Sequence, residues 1–287
     1  GAGLGLGQVF GVLEQCGAHA LPLPLGETMV ARALLAQAGV ARPAGSIALA
    51  RGEHLANGGL RCALVRSGQV AAAVLVQAST EWRLLNTADA QGAAQALALD
   101  AALTWTAVQV QAAPAVEVNG ALDVRTLQAA VVAAQMAGAL SSVFRRSLQY
   151  ANERQQFGRP IGKFQAIQHQ LAVMSEHVFA ARMAAQLGCS AGHDGMGVVP
   201  DRLRVATAKA RCSAAALVVS ELAHAIHGAI GFTEEYDLQL FTRRLHAWRQ
   251  TAGSEAYWYG VAGEALRHHQ GMTLDIVRRI TDVDTVL

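Results

Sequence analysis

The segment YANERQQFGRPIGKFQAIQHQLAVM, residues 150–174, carries Arg154, Gln155, Gln156 and Phe157 where a helical run stops, before Gly-Arg-Pro-Ile-Gly leads into a second helix. An arginine at a helix C-terminus has a plain explanation, because the unsatisfied carbonyls there favour cations. The same guanidinium on a rigid corner can also grip a phosphate through two parallel N–H donors. The residues of the corner alone support both readings. Other reactive types are sparse. His224 and His227 lie three apart with no acidic or thiol companion at metal-ligand spacing, so they read as helix-packing residues and no metal site is expected. His268 and His269 read as solvated. Glu255, with Ser254 or Thr251 as its cap, reads first as a helix-start acid, as does Asp123. The opening GAGLGLGQ fits neither GxGxxG nor GxxxxGK and reads as a plain loop leading into a helix. No Ser-His-Asp motif or nucleophile elbow occurs.

The elements that must position these residues are set by a 287-residue chain that is 52% hydrophobic and 15% charged, enough for a sizeable core and one or two domains. A net charge of +2 with scattered Lys and Arg offers no basic stripe, so no nucleic-acid partner is expected. Cys16, Cys62, Cys189 and Cys212 are far apart and read as buried thiols in a reducing, cytoplasmic compartment. No leader peptide is recognisable, and the first residues read as the middle of something longer. The apolar run Leu127–Phe144 is interrupted by Gln128, Gln135, Ser141 and Ser142, so a buried helix is expected there and no membrane span.

Three patterns follow along the chain. Residues 8–40 read as helical, with Val9, Val12, Leu13 and Cys16 on one face and a second helix around Thr28–Ala38 after the Pro22/Pro24 break. Residues 46–118 change period. Leu60–Val65 and Val70–Val76 flank Arg-Ser-Gly-Gln as a hairpin, and Thr104–Gln111 and Ala115–Val118 alternate as strands of a small, mostly antiparallel sheet. From Leu122 onward the chain reads as helical. Phe164, Ile167, Leu171, Met174, Val178, Ala181 and Ala185 form a heptad-like stripe, and Val205, Cys212, Val219 and Ile226 lie seven apart on another helix. A further helix follows the Thr251–Gly253 break and runs to about His269. The expected class is mainly α with a small β domain (α+β): a partial helical domain over 1–45, a shortened β domain over 46–120 and a four-helix bundle over 121–287.

Two motifs connect this layout to a known family. Arg154-x-x-Phe157-Gly158-x-Pro160-Ile161-x-x-Phe164-Gln165, followed by Leu171-Ala172-x-Met174, resembles a signature of acyl-CoA dehydrogenases. The block His227-Gly228-Ala229-Ile230-Gly231-Phe232-Thr233-Glu234-Glu235-Tyr236-Asp237-Leu238 resembles their HGGIGFT-E-x-D-L segment. The resemblance covers nearly the whole chain and is weakest over 46–118. It implies a flavoprotein that oxidises an acyl-CoA substrate, with FAD between subunits and an electron-transferring flavoprotein as acceptor. By position, Arg154 would reach the FAD pyrophosphate of a neighbouring subunit, Phe157 would pack near the cofactor, and Gln165 would reach its adenosine end. Gly228 and Gly231 would let backbone approach the flavin, and Ser254 would add a further cofactor contact.

The resemblance breaks at the chemistry. The family reaction needs a carboxylate against Cα, in a dry site that raises its basicity. Most members supply it from the Glu of a YEGT-like segment. The corresponding stretch here is Gln250-Thr251-Ala252-Gly253-Ser254, with Ala252 at the Glu position. The stretch Leu127-Gln128-Ala129-Ala130, where other members place their base, has no carboxylate either. Glu255 is the remaining candidate for a displaced base, and Glu234 and Glu235 are poor ones. Residues 46–118 resemble only the second half of the family's middle domain, without its Thr/Ser/Trp flavin contacts. Ala225 and Ala229 replace a Gln and a Gly of the second motif. Three readings remain open: a subunit that needs a catalytic partner in a heterotetramer, a self-sufficient homodimer or homotetramer with a relocated base, and a non-catalytic scaffold.

Overall fold

The computed structural model of the chain describes residues 4–94, 99–118, 122–190 and 199–282. The first three residues of the expected N-terminal loop lie outside these. The chain groups into two compact units. One is built on a sheet and holds residues 22–128. The other is helical and holds residues 7–21 together with most of the chain from Ala129 onward. The expected 1–45 segment is thus divided: its first helix, α1 (Leu6–Ala18), falls almost entirely in the helical unit and its second, α2 (Leu25–Gln37), in the sheet unit.

The sheet unit has six strands, β1 (Ile47–His54), β2 (Leu60–Val65), β3 (Ala73–Ala78), β4 (Glu81–Asn86), β5 (Gln91–Ala94) and β6 (Ala101–Trp105), in the order β4-β3-β1-β2-β6-β5. All neighbours are antiparallel except β1 and β3, which run parallel with Ala48 opposite Val74. The expected hairpin between 60–65 and 70–76 does not form, because β1 lies between those strands. The turn signal is real, since Ser67 is left-handed at φ 55°. The Ser67 N–H, however, donates to Asp100 at 2.9 Å, and Arg66 is buried against Glu27 of α2 at 3.1 Å, so the turn feeds a crossover. The expected strand through Gln111 also fails. Thr106 and Gln109 form a capping box that starts a short helix, α3 (Ala107–Ala112), and Ala115 makes only one isolated bridge, to Arg83. Local side-chain bonds at Thr106 override the alternation that suggested a strand.

The helical unit contains most of α4 (Val124–Glu153), then α5 (Gln165–Cys189), α6 (Arg202–His227), α7 (Leu238–Gln250), α8 (Glu255–His268) and α9 (Thr273–Thr281). The four long bundle helices expected are α4, α5, α6 and α8, while α7 and α9 were not anticipated. The stripe on α5 is buried at Leu171, Met174, Val178, Ala181 and Ala185. All four seven-spaced residues of α6 are buried, and the Cys212 thiol points to carbonyls of both α4 (Ala133, 3.6 Å) and α5 (Ala181, 3.5 Å). On α1 the buried line is Leu6, Phe10 and Leu13 with Val9 and Cys16, whereas Val12 faces solvent. Gly17 and Gly138 let α1 and α4 touch backbone to backbone, since a Cβ on either would sit within 2 Å of a carbonyl oxygen of the other helix. By length and composition α4 and α6 could each cross a membrane, but 83% of the apolar window of α4 is buried in the fold. All four cysteines are buried and free.

Candidate functional site

Every candidate residue lies in the helical unit. Helix α4 ends at Glu153, and Arg154 follows with its N–H still bonded to the Tyr150 carbonyl at 2.8 Å. The chain then makes a tiny hairpin of β7 (Gln155–Gln156) and β8 (Arg159–Pro160). Its two central residues, Phe157 (φ 53°) and Gly158 (φ 79°), are both left-handed, as a type I′ turn requires. A bulky aromatic at positive φ is a genuine outlier. Phe157 is also 91% exposed, with its ring edge-on to Phe164 at 6.1 Å. Arg159 lies over the Phe164 ring. Arg154 is exposed, and among the described residues its guanidinium makes no ion pair or hydrogen bond. Gln165 opens α5, also exposed.

The second motif begins where α6 ends. Gly228 caps the helix at φ 62°, ψ −142°, a conformation reserved for glycine, and a Cβ there would meet only open space. Gly231 is different. A Cβ on it would press on the His227 Cβ (3.1 Å), His224 Nδ1 (3.2 Å) and Leu238. Gly228 therefore leaves backbone open to an approaching ligand, whereas Gly231 serves the packing of this chain's own histidines.

Those histidines tie the two motifs together. The His227 ring stacks on Tyr150 at 4.5 Å and lies 5.1 Å from Tyr236. Its Nδ1 donates to the Ala223 carbonyl at 2.7 Å, so the lone pair sits on Nε2, which is buried without a partner among the described residues. Burial, ahead of every other cause, pushes the His227 pKa down, so the ring is neutral. Arg146, one turn before Tyr150, pairs with Asp237 at 2.8 Å. His224 stacks on the exposed Phe232 at 4.4 Å and shares a hydrogen bond with Thr242 at 3.1 Å. Beside it lies a cleft of about 310 Å³ lined in part by Gly231, Glu234, Arg243 and His246. Burial and the neighbouring His246 both lower the His224 pKa. Among the described residues no group of three or more metal-ligating side chains occurs.

The third candidate region is the corner between α7 and α8. Ala252 is left-handed (φ 57°), Gly253 follows at φ 105°, and Ser254 caps α8 by accepting the Tyr257 N–H at 3.4 Å. Glu255 is clasped by Arg249, whose Nε donates to Oε2 at 2.9 Å while its Nη2 binds Oε1. Desolvation pulls the Glu255 pKa up, but the Arg249 hydrogen bonds and charge, helped by Lys209, outweigh it and hold the carboxylate below its usual range. That is the opposite of what a base requires. The stretch 127–130 holds buried Leu127, Ala129 and Ala130, and Gln128 donates to the Leu49 carbonyl. The corner is held from below by Lys209 of α6, which lies about five turns, or ~27 Å, from His227 along the same helix. The end of α6 that carries the second motif and the α7–α8 corner are therefore two distinct places on one scaffold.

Sequence reasoning missed Lys209, the Tyr150–His227–Tyr236 stack and the Arg249 clasp. A signal for Lys209 existed, since it falls between Val205 and Cys212 on the buried stripe of α6.

A family model described as acyl-CoA dehydrogenase, C-terminal domain, matches residues 118–266. The acyl-CoA dehydrogenase IpdE2 of Mycolicibacterium smegmatis is 30% identical over 88% of this chain and 76% of its own length. The acyl-CoA dehydrogenase FadE34 of Mycobacterium tuberculosis is 29% identical over 99% of this chain, which spans only 40% of that relative. Among solved structures, the ChsE4–ChsE5 complex from Mycobacterium tuberculosis aligns with a TM-score of 0.79 at 21% identity, covering 92% of this chain and 81% of that one. The Tcur3481–Tcur3483 steroid ACAD aligns at 0.76 and 27% identity, covering 93% and 82%.

Proposed function

Because the chain belongs to the acyl-CoA dehydrogenase family, we propose that it is a flavoprotein subunit for α,β-dehydrogenation of an acyl-CoA thioester, working beside a second subunit that supplies the catalytic base. The observation that supports this reading is the α7–α8 corner: Ala252 stands at the position that by resemblance carries the family's Glu, and Glu255, three residues on, is locked to Arg249. Two of the solved structures with this fold are named as pairs of different chains, and one of them as a steroid ACAD. A bulky steroid side-chain thioester is accordingly the substrate class we assign.

The cofactor implied is FAD, which when bound supplies the acceptor for the hydride leaving Cβ. The outward-facing residues of this chain fit its pyrophosphate end. Arg154 has an uncommitted guanidinium for a phosphate oxygen, Gly228 leaves backbone open at the end of α6, and Phe157 stands out as an apolar surface for a neighbouring molecule. Gln165 would turn its amide toward the adenosine end, and the Ser254 hydroxyl keeps its proton free to donate while its oxygen caps α8. The sheet unit offers less. Its tryptophans, Trp82 and Trp105, are both buried, and the Trp105 indole N–H is spent on the Asn86 carbonyl at 2.8 Å. Arg154 and its neighbours would therefore complete a FAD site belonging to another chain. A self-sufficient enzyme using Glu255 is the second reading, and the Arg249 clasp counts against it.

The test is a visible absorption spectrum of the purified chain, alone and with FAD, then co-purified with a family member that keeps the Glu. The expected result is a colourless lone chain and a flavin spectrum with acyl-CoA-dependent bleaching in the pair. A lone chain that carries flavin and reduces a dye with acyl-CoA would overturn the proposal.

A further inference from the structure

The side chain least explained by packing is Lys209. It is fully buried two turns into α6, among alanines and Cys212, and among the described residues no carboxylate lies within hydrogen-bonding distance. Its ammonium instead has three oxygen partners: Ser213 Oγ at 3.0 Å, the Arg249 carbonyl at 2.9 Å and the Gly253 carbonyl at 2.9 Å. Three donors meet three acceptors, and two of those acceptors are the backbone at either side of Ala252. A buried ammonium without a counter-ion is costly, and an apolar residue would fill the space without that penalty. The corner it holds is also strained, with two successive left-handed residues, one of them an alanine. The Trp258 indole N–H bonds the Ala252 carbonyl at 3.0 Å, and a Cβ on Gly253 would strike Tyr257 and Trp258. Such reinforcement exceeds what a connecting loop needs.

We propose that Lys209 is a positioning residue whose ammonium fixes the 250–254 corner, so that position 252 is presented in one orientation, and that the corner loosens when the ammonium loses its proton. This rests on reading the corner as the equivalent of the family's base-bearing loop. The chain keeps the frame of that loop without its base. A neutral amine keeps two N–H donors for the two carbonyls and can accept the Ser213 O–H on its lone pair, but its bonds to the corner lose the positive charge that strengthens them. The titration is set by the groups packed around the ammonium. Burial lowers the Lys209 pKa to about 7, Cys212 on its own helix and Glu255 of α8 pull it up, and Arg249 of α7 pushes it down.

Ala252→Cys carrying a nitroxide spin label reads the corner directly. The four native cysteines are buried, so the reagent goes to the new thiol. At pH 6 the label should give one slow-motion spectrum, and between pH 6 and 9 a mobile component should grow with a midpoint near 7. Adding Lys209→Gln should give the mobile spectrum at every pH, and Lys209→Ala should regain the slow component when n-propylammonium is supplied to fill its cavity. A spectrum that does not change with pH, or that is the same with Lys209→Gln as without it, overturns the proposal. If Lys209→Gln does not fold, the pH series on the single Ala252→Cys chain decides alone. The label needs neither flavin nor partner, so its outcome is separate from the absorption test of the proposed function.

Discussion

At its C-terminal end α6 packs His227 on Tyr150 of α4 and leaves Gly228 open, and the hairpin that follows α4 carries the exposed Arg154 and Phe157. Nearer its start the same helix delivers Lys209 beneath a corner where the carbonyls of Arg249, Ala252 and Gly253 are all bonded to side chains, yet the residue on top is a methyl group. One end keeps reactive side chains on an open surface, and the other keeps the frame without the reactive side chain. Binding needs donors that are free to meet a ligand, whereas proton abstraction needs one carboxylate of raised basicity. On the proposed reading the chain supplies binding groups and leaves proton abstraction to its partner.

The sharpest way to break the comparison is Arg154→Ala in the assembled, flavin-bound protein. A charge-assisted bond to a phosphate contributes about 1.5–3 kcal/mol, so FAD should dissociate on the order of 10- to 100-fold more readily, measured by flavin fluorescence on dilution. Unchanged retention would place the dinucleotide elsewhere. The lone chain's melting temperature should not move, because the Arg154 side chain makes no hydrogen bond or ion pair among the described residues and its backbone bonds survive the substitution.

The corner should show itself through pH. The Lys209 pKa falls to about 7 in the folded chain, against about 10.4 when unfolded. Above pH 7 the unfolded chain therefore holds the extra proton, and folding stability rises with pH. Cys62, Cys189 and Cys212 act in the opposite sense, because burial pushes each thiol up to about 12 and the unfolded thiolates form above about 8.5. The Lys209 contribution is thus visible between pH 7 and roughly 8.5, where it adds about 2 kcal/mol. Denaturant titrations should show that rise in the natural chain and none in Lys209→Met.

Within the motif end the two glycines can be separated. Gly231→Ala should cost about 1–2 kcal/mol through crowding of His224 and His227, read as a lower denaturation midpoint, with flavin retention in the assembly following stability. Gly228→Ala meets no atom, so its cost comes from backbone strain alone. If Gly231→Ala proved neutral, the histidine stack would not be the reason for that glycine.

Much of this was legible in residue order. The breaks at His227 and Thr251 lie where helices end, because glycine follows closely at both, whereas α4 stops at Glu153, four residues before the expected Phe157. The proposed absence of a base starts from Ala252 in the sequence, at the position that by resemblance carries the family's Glu. What could not be read depends on contacts across long sequence separations. Nothing near Arg66 announces that its partner is Glu27 or that β1 separates β2 from β3. The Tyr150–His227 stack joins residues 77 apart, and the Arg249 clasp on Glu255 needs the corner to bend first. Helix α7 escaped notice because charge and aromatics crowd its short sequence, though Leu238, Phe241 and Leu245 are buried at helical spacing.

The smallest effect concerns the residue whose local preference is most plainly violated. A two-residue type I′ tip favours Asn-Gly, and here the tip is Phe157-Gly158. Positive φ strains an aromatic residue by about 1 kcal/mol, and 91% exposure returns almost none of that through burial. Phe157→Asn should therefore stabilise the lone chain by up to ~1 kcal/mol, raising its melting temperature by a degree or two. If the ring is held out for a cofactor and partner, the same substitution should weaken flavin retention in the assembly severalfold. A gain in both would mean that the tip carries no function and that the corner after α4 acts through Arg154 alone.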